Sequence, residues 1–251
     1  MGSTVCRAVA ADPDLELVAA VDPHHAGIDL RQVTGVELPI QVGGDAAALA
    51  DAQAEVAIDF TELDAARNNL EWCAGRGIHA VVGTTGFNDD DYKAVERWFA
   101  SGGANCVIAP NFAIGAVLMI RFAELAAPYF DTAEIIELHH NAKLDAPSGT
   151  AMLTAERMAA ASADWAADPT QTQVVAGARG GTGPGGIPIH SVRLHGLVAH
   201  QEVLLGTTGQ SLTLRHDSYD RSSFMPGVLM AVKAVPTRAG LTVGLDRLLD
   251  L

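Results

Sequence analysis

The densest run of chemically capable side chains in the sequence is Glu137-Leu138-His139-His140-Asn141-Ala142-Lys143-Leu144-Asp145-Ala146-Pro147-Ser148-Gly149-Thr150. Two histidines and a lysine sit close together, and a Ser-Gly-Thr opens a helical pattern directly after them. A histidine exchanges protons near neutral pH. Lys143 supplies a point charge, and the N–H groups at a helix start bind carboxylates, with Gly149 letting the ligand come close. His139, His140, Lys143, Ser148, Gly149 and Thr150 thus read as one corner that grips carboxylates and handles a proton. Plainer readings compete. A metal site would need a third ligand, which is missing at ordinary zinc spacing. Ser148 and Thr150 also suit helix capping, and the histidines could be surface residues.

Two further turns sit where chemistry is expected. Gly83-Thr84-Thr85-Gly86 and Ala109-Pro110-Asn111-Phe112 each follow a short apolar run. Small residues let a flat ring approach, threonine hydroxyls offer hydrogen bonds, and Asn111 can bind a carboxamide or a ribose. Singly, each is ordinary loop chemistry. Together, at adjacent strand ends, they mark a nucleotide site. Asp22 closes another apolar run, where an acid can accept from both hydroxyls of an adenine ribose and repel a 2′-phosphate, favouring NAD over NADP. A turn-forming Asp before Pro23 is the equal alternative. Gly181-Thr182-Gly183-Pro184-Gly185-Gly186 matches G-x-G-x-x-G but precedes no helix, so it reads as a mobile loop and not as a nucleotide cradle.

The elements that must position these residues alternate. Strands are predicted over 15–22, 56–61, 78–82 and 106–109. Helices follow through Asn69 to Cys73, after Asn88 with an acidic first turn, and over 113–126. Continuous apolar strands alternating with helices make a parallel, doubly wound sheet, whose ligands bind beyond the strands' carboxyl ends. After Asn111 the pattern becomes α+β: a strand over 133–138, a polar loop, and a helix over 148–161. A Gly/Pro-rich stretch follows, then strands over 187–194, 198–205 and 211–216, and a helix over 222–235 with Pro226 in its first turn. The fold class is therefore a Rossmann-like α/β sheet plus a second α+β domain. Residues 1–111 and 221–251 are assigned to dinucleotide binding and 112–220 to substrate binding. Residues 3–9 look like the helix that follows a glycine turn. The expectation is therefore a sheet lacking its first strand and most of that turn, as from a start at an internal Met.

Bulk properties narrow the class. A chain of 251 residues, 49% hydrophobic and 18% charged, is globular and can bury a core. A net charge of −14 argues against nucleic acid or an anionic membrane as partner, so an anionic substrate needs a local positive pocket. Cys6, Cys73 and Cys106 are far apart, which excludes a disulfide framework or zinc ribbon and fits a reducing compartment. No apolar run is long enough for a membrane span, and no signal-peptide pattern opens the chain, so a cytoplasmic location is expected. Neither a G-x-S-x-G elbow nor a P-loop is present.

On these residues the chain resembles the dihydrodipicolinate reductase family over about its whole length. The telling segments are Asp59-Phe60-Thr61, Gly83-Thr84-Thr85-Gly86-Phe87, Pro110-Asn111-Phe112-Ala113-Ile114-Gly115, and the run from Glu137 to Thr150. Val198-Ala199-His200-Gln201-Glu202-Val203 and Arg215-His216-Asp217-Ser218 are similar to the actinobacterial branch. The resemblance implies NADH- or NADPH-dependent reduction of 4-hydroxy-tetrahydrodipicolinate to tetrahydrodipicolinate, in diaminopimelate and lysine biosynthesis, by a cytoplasmic homotetramer without a metal. It casts His139 as proton donor or acceptor and Lys143 as the second proton-handling, substrate-binding residue. His140, Gly149 and Thr150 are cast as carboxylate contacts. Asp22, Gly83 to Thr85 and Ala109 to Phe112 are cast as nucleotide contacts, with Met1 and Gly2 as the end of the glycine loop. Hinge closure is expected to bring substrate and nicotinamide together. Asn141-Ala142 departs from the family, many of whose members carry a basic residue and a third histidine there, which thins the positive charge. Two other readings stand beside it: a nucleotide-binding fragment without turnover, and another amino-acid-pathway dehydrogenase.

Overall fold

The computed structural model describes residues 1–100 and 103–249. The last two residues of the expected segment 221–251 lie outside the described residues. The chain divides into two compact units, Met1–Ala113 with Arg221–Leu251, and Ile114–Asp220.

The first unit opens on helix α1 (Gly2–Ala11), with Val5 and Val9 buried, followed by the short helices α2 (Leu30–Thr34) and α3 (Ala47–Asp51). Then β1 (Val56–Asp59), α4 (Leu63–Ala74), β2 (His79–Val82), α5 (Asp89–Ala100) and β3 (Cys106–Ile108) alternate. Asn88 starts α5 by accepting the amides of Asp90 and Asp91 on its side chain, while three aspartates in the first turn complement the helix dipole. The chain then enters the second unit with α6 (Ile114–Ala126), β4 (Thr132–His139) and α7 (Gly149–Ala161). Four strands follow, β5 (Gly181–Thr182), β6 (Pro188–Arg193), β7 (Ala199–Thr207) and β8 (Gln210–Ser218). It returns to the first unit with α8 (Met225–Ala234) and β9 (Leu241–Val243).

In the first unit the sheet order is β1-β2-β3-β9, with every pairing parallel. Its strands are the short apolar runs foreseen, and Leu70, Ile78, Val82, Val95, Phe99 and Ile108 form the core on which α4 and α5 pack. In the second unit the order is β5-β6-β4-β7-β8; β4 and β6 run parallel and the remaining pairs antiparallel. Alternate residues of β4 and β7, among them Ile135, Val203 and Leu205, join Met119 and Ala123 of α6 and Ala155 and Met158 of α7 in a second core.

Three expectations are corrected. The segment 15–22 is not a buried strand: among the described residues it makes only the bridge Val21↔Gly43, and Val18 and Val21 are exposed. An apolar run becomes a strand only where a neighbouring backbone offers a ladder, and here only Gly43 does. The stretch 181–186 is not a mobile loop, because Gly181 and Thr182 pair with Ile189 and Pro188 at the sheet edge and a 3-10 turn follows. The helix expected over 222–235 begins as a 3-10 turn, Arg221–Phe224, and becomes α-helical at Met225, with Pro226 in the first turn where its missing N–H costs nothing. Strand β9, flanked by Gly240 and Gly244, was not foreseen.

Candidate active site

In the first unit the candidates at 83–85 and 109–112 follow strand ends. Parallel pairing carries on past each strand: the Gly83 amide donates to the Asp59 carbonyl at 2.8 Å and the Ala109 amide to the Val82 carbonyl at 3.0 Å. This brings Gly83-Thr84-Thr85 and Ala109-Pro110-Asn111-Phe112 side by side beyond the carboxyl ends of β1, β2 and β3. Gly83 sits against the Phe60 ring: a Cβ there would lie 2.0 Å from it, so the ring would have to move. That ring lies 5.8 Å from the Phe112 ring, centroid to centroid. The Asn111 side chain accepts the Ala113 amide at 2.8 Å and shapes the entry to α6.

Asp59, to which the sequence assigned no role, organises these loops. Its Oδ1 accepts from the Thr61 amide and hydroxyl at 2.9 and 2.7 Å and from the Thr84 hydroxyl at 2.9 Å, and its Oδ2 accepts from Asn69 Nδ2 at 2.8 Å. Thr84 is therefore buried and its hydroxyl proton committed, whereas Thr85 is exposed. Asp22 starts a 3-10 turn, with the His24 amide on Oδ1 at 2.9 Å and His25 Nδ1 at 2.8 Å from Oδ2. The His24 amide, then His25, hold its carboxyl below the usual range. Met1 caps α1 through its carbonyl, and Gly2 is open, with nothing near its Cα where a side chain would begin.

In the second unit β4 delivers His139 and His140, and the loop that follows returns to α7. His139 Nδ1 lies 2.5 Å from Glu137 Oε2. Glu137 is completely buried, yet accepts a two-pronged bond from Arg193, Nη2 to Oε1 at 2.8 Å and Nη1 to Oε2 at 2.9 Å. Burial pushes this carboxyl up, but the hydrogen bonds from His139, Arg193 and Ser191 outweigh it and hold it at about 2. Arg193 Nη2 also donates to the Asp145 carbonyl at 2.7 Å, tying the loop to β6. Lys143 Nζ donates to both Asp145 oxygens at 2.7 and 2.9 Å. His140 is exposed. Ser148 is buried and caps α7, accepting the Ala151 amide at 3.2 Å, so its hydroxyl anchors the helix start. Gly149 is exposed with open space beside it. Sequence reasoning gave Glu137 no role and did not name Arg193. The alternation of a strand puts Glu137 on the face of His139, a signal that was available. Arg193 depends on the register His139↔Arg193, which no short-range pattern reveals.

A Rossmann-like parallel sheet with loops at its carboxyl ends, joined in one chain to a sheet that presents a histidine–lysine loop at a helix start, is the organisation of a pyridine-nucleotide oxidoreductase. The family models "Dihydrodipicolinate reductase, N-terminus" and "Dihydrodipicolinate reductase, C-terminus" match residues 1–112 and 115–249. A 4-hydroxy-tetrahydrodipicolinate reductase of Mycolicibacterium vanbaalenii is 51% identical over 236 residues, 94% of either chain. Another, of Mycolicibacterium smegmatis, is 50% identical over 252 residues, covering 100% of this chain and 95% of that protein. The dipicolinate-bound dihydrodipicolinate reductase from Paenisporosarcina sp. TG-14 superposes with a TM-score of 0.85 at 40% identity, over 98% of this chain and 94% of that one. The chain belongs to the dihydrodipicolinate reductase family. An amine dehydrogenase from Mycobacterium smegmatis, at 15% identity and a TM-score of 0.66, shares the fold alone.

Proposed function

We propose that the chain reduces 4-hydroxy-tetrahydrodipicolinate to tetrahydrodipicolinate, with loss of water, in diaminopimelate and lysine biosynthesis. The observation that carries this reading is the convergence of His139, Lys143 and the start of α7 on one loop, in a chain about half identical to proteins bearing that activity.

His139 and Lys143 handle the proton, and Lys143, His140, Gly149 and Thr150 hold the two carboxylates. Ser148 acts by capping the helix whose first turn faces the ligand. A protonated group in the His139/Lys143 pair neutralises the charge that develops on the substrate ring. The residues present also fit a pyridine nucleotide. Gly83 and Ala109 keep the strand ends low, Thr85 and Asn111 offer polar contacts, Pro110 and Phe112 complete the turn, and Gly2 leaves the α1 start open. When bound, the reduced nicotinamide supplies the hydride. Each Asp22 oxygen carries one hydrogen bond and keeps a lone pair for a ribose hydroxyl. Ionised at neutral pH, Asp22 repels a 2′-phosphate, so NADH is favoured over NADPH.

The homotetramer forms through the face of the second sheet that α6 and α7 leave uncovered. Ile136, Leu138, Val192 and Leu204 alternate with the core residues and point there. The unpaired Cys6, Cys73 and Cys106 fit work in the cytoplasm. Among the described residues no helix is long and apolar enough to cross a membrane.

Mixing the full chain with NADH and 4-hydroxy-tetrahydrodipicolinate tests the reading. The expected result is NADH consumption matched by tetrahydrodipicolinate formation, with no turnover of aspartate semialdehyde or homoserine. Tight NADH binding without substrate-dependent oxidation would instead make the chain a non-catalytic nucleotide binder.

A further inference from the structure

An imidazole has two nitrogens, and the partner of one decides what the other can do. We propose that Glu137 is a positioning residue for His139, holding its Nδ1–H so that Nε2 alone exchanges protons with the substrate, and that Arg193 keeps Glu137 fixed for that task. This rests on the proposed reductase activity for its effect on turnover, and on the geometry alone for the pairing.

Strand alternation puts Glu137 and His139 on one face of β4, the face covered by α7. A buried carboxylate with no partner would be strongly disfavoured. Glu137, at 0% exposure, is instead fully engaged: Arg193 takes both oxygens in a fork, and His139 Nδ1 is added to Oε2 at 2.5 Å. The fork already pairs the carboxylate, so the imidazole is an extra partner and its loss would leave no buried charge alone. An ionised carboxylate only accepts hydrogen bonds. Nδ1 is therefore the donor. In the neutral ring the one proton sits on Nδ1 and Nε2 carries the lone pair. When the ring gains a proton it enters at Nε2 and leaves from Nε2, while Nδ1–H stays on Glu137.

Arg193, Lys143 and Asp145 also bear on this pair. Arg193 arrives from β6, in register with His139, and its Nη2 also holds the Asp145 carbonyl. From the loop, the Lys143 ammonium is bound by the Asp145 side chain. One guanidinium thus fixes both the carboxylate that orients His139 and the backbone of the loop that carries Lys143.

Nitrogen-15 labelling of histidine in the full chain, read by long-range nitrogen–proton correlation, reports the tautomer directly. The expected spectrum shows His139 as the Nδ1–H form, and Glu137→Gln loses that exclusive form. Glu137→Gln is expected to lower kcat about 10- to 100-fold, the scale seen when an outer-shell partner that orients a metal-ligating imidazole is removed, with KM for NADH unchanged. In a His139→Gln background the same change should alter kcat less than about two-fold, because the residue it positions is gone. An Nε2–H tautomer in the unmodified protein overturns the proposal, and so does an equal loss of kcat in both backgrounds, the mark of a merely structural role. If Glu137→Gln fails to fold, the tautomer of the unmodified chain and kcat of Glu137→Asp decide. Absence of turnover in the unmodified chain would sink the proposed function while leaving the tautomer to judge the pairing.

Discussion

Lys143 and Asp145 lie two positions apart, and the ammonium donates to both carboxylate oxygens, which holds the Asp145 carboxyl below its usual range. Under the proposed function, a substrate carboxylate would compete with Asp145 for Lys143. Replacing Lys143 with Met is expected to weaken dipicolinate binding about 10- to 100-fold, the cost of a charge-assisted hydrogen bond, and to leave NADH affinity unchanged; calorimetric titration of each ligand measures both. Glu137 gives a second test. Its carboxyl is held at about 2, below an ordinary 4.5, so its stabilising contribution is complete above about 4.5 and is lost as pH falls through about 2. Melting temperature should therefore fall across that window, and Glu137→Gln should flatten the fall while lowering stability at neutral pH. Parallel curves would contradict the assignment. At this scale His139, Lys143 and Gly149 could be proposed from the sequence because they fall within one short run. Arg193 was not, because it reaches Glu137 across 56 positions through strand pairing.

Helix α8 packs closely on the turn 109–112 through Gly227. A Cβ at Gly227 would lie 2.1 Å from the Phe112 carbonyl oxygen and 2.9 Å from Leu245 Cδ2. A backbone oxygen cannot rotate away as a side chain can, so Gly227→Ala must move the turn or the helix. The expected outcome is a loss of about 1–3 kcal/mol, the range for overpacking, together with weaker NADH binding, read by denaturant melts and NADH titration of the matched pair. An unchanged protein would show that α8 does not brace this loop. The alternation of apolar strand and helix was readable from periodicity at β1, β2, β3 and β4, because each run has a neighbour to pair with. The same logic overreached at 15–22, where composition was strand-like and the ladder partner was missing. It passed over β9, whose three residues are too few to show a period.

At the scale of the whole molecule, the proposed tetramer would use the open sheet face of the second unit. Ile136, Leu138, Val192 and Leu204 are half-buried in the single chain and face away from α6 and α7. Sedimentation velocity should find a tetramer, and Leu204→Glu should shift it towards smaller species while NADH still binds; a monomer in the unmodified protein would remove this role. The two-part organisation was visible in the sequence as a change of pattern after Asn111, since parallel and mixed sheets differ in how apolar residues are spaced. The central claim is that His139 moves the proton in a nucleotide-dependent reduction of the cyclic dicarboxylate. The turnover number of His139→Gln beside that of the unmodified chain, with both substrates saturating, tests it most directly. A fall of about 10²-fold or more, with NADH binding intact, is the predicted result; turnover close to that of the unmodified chain would contradict the account.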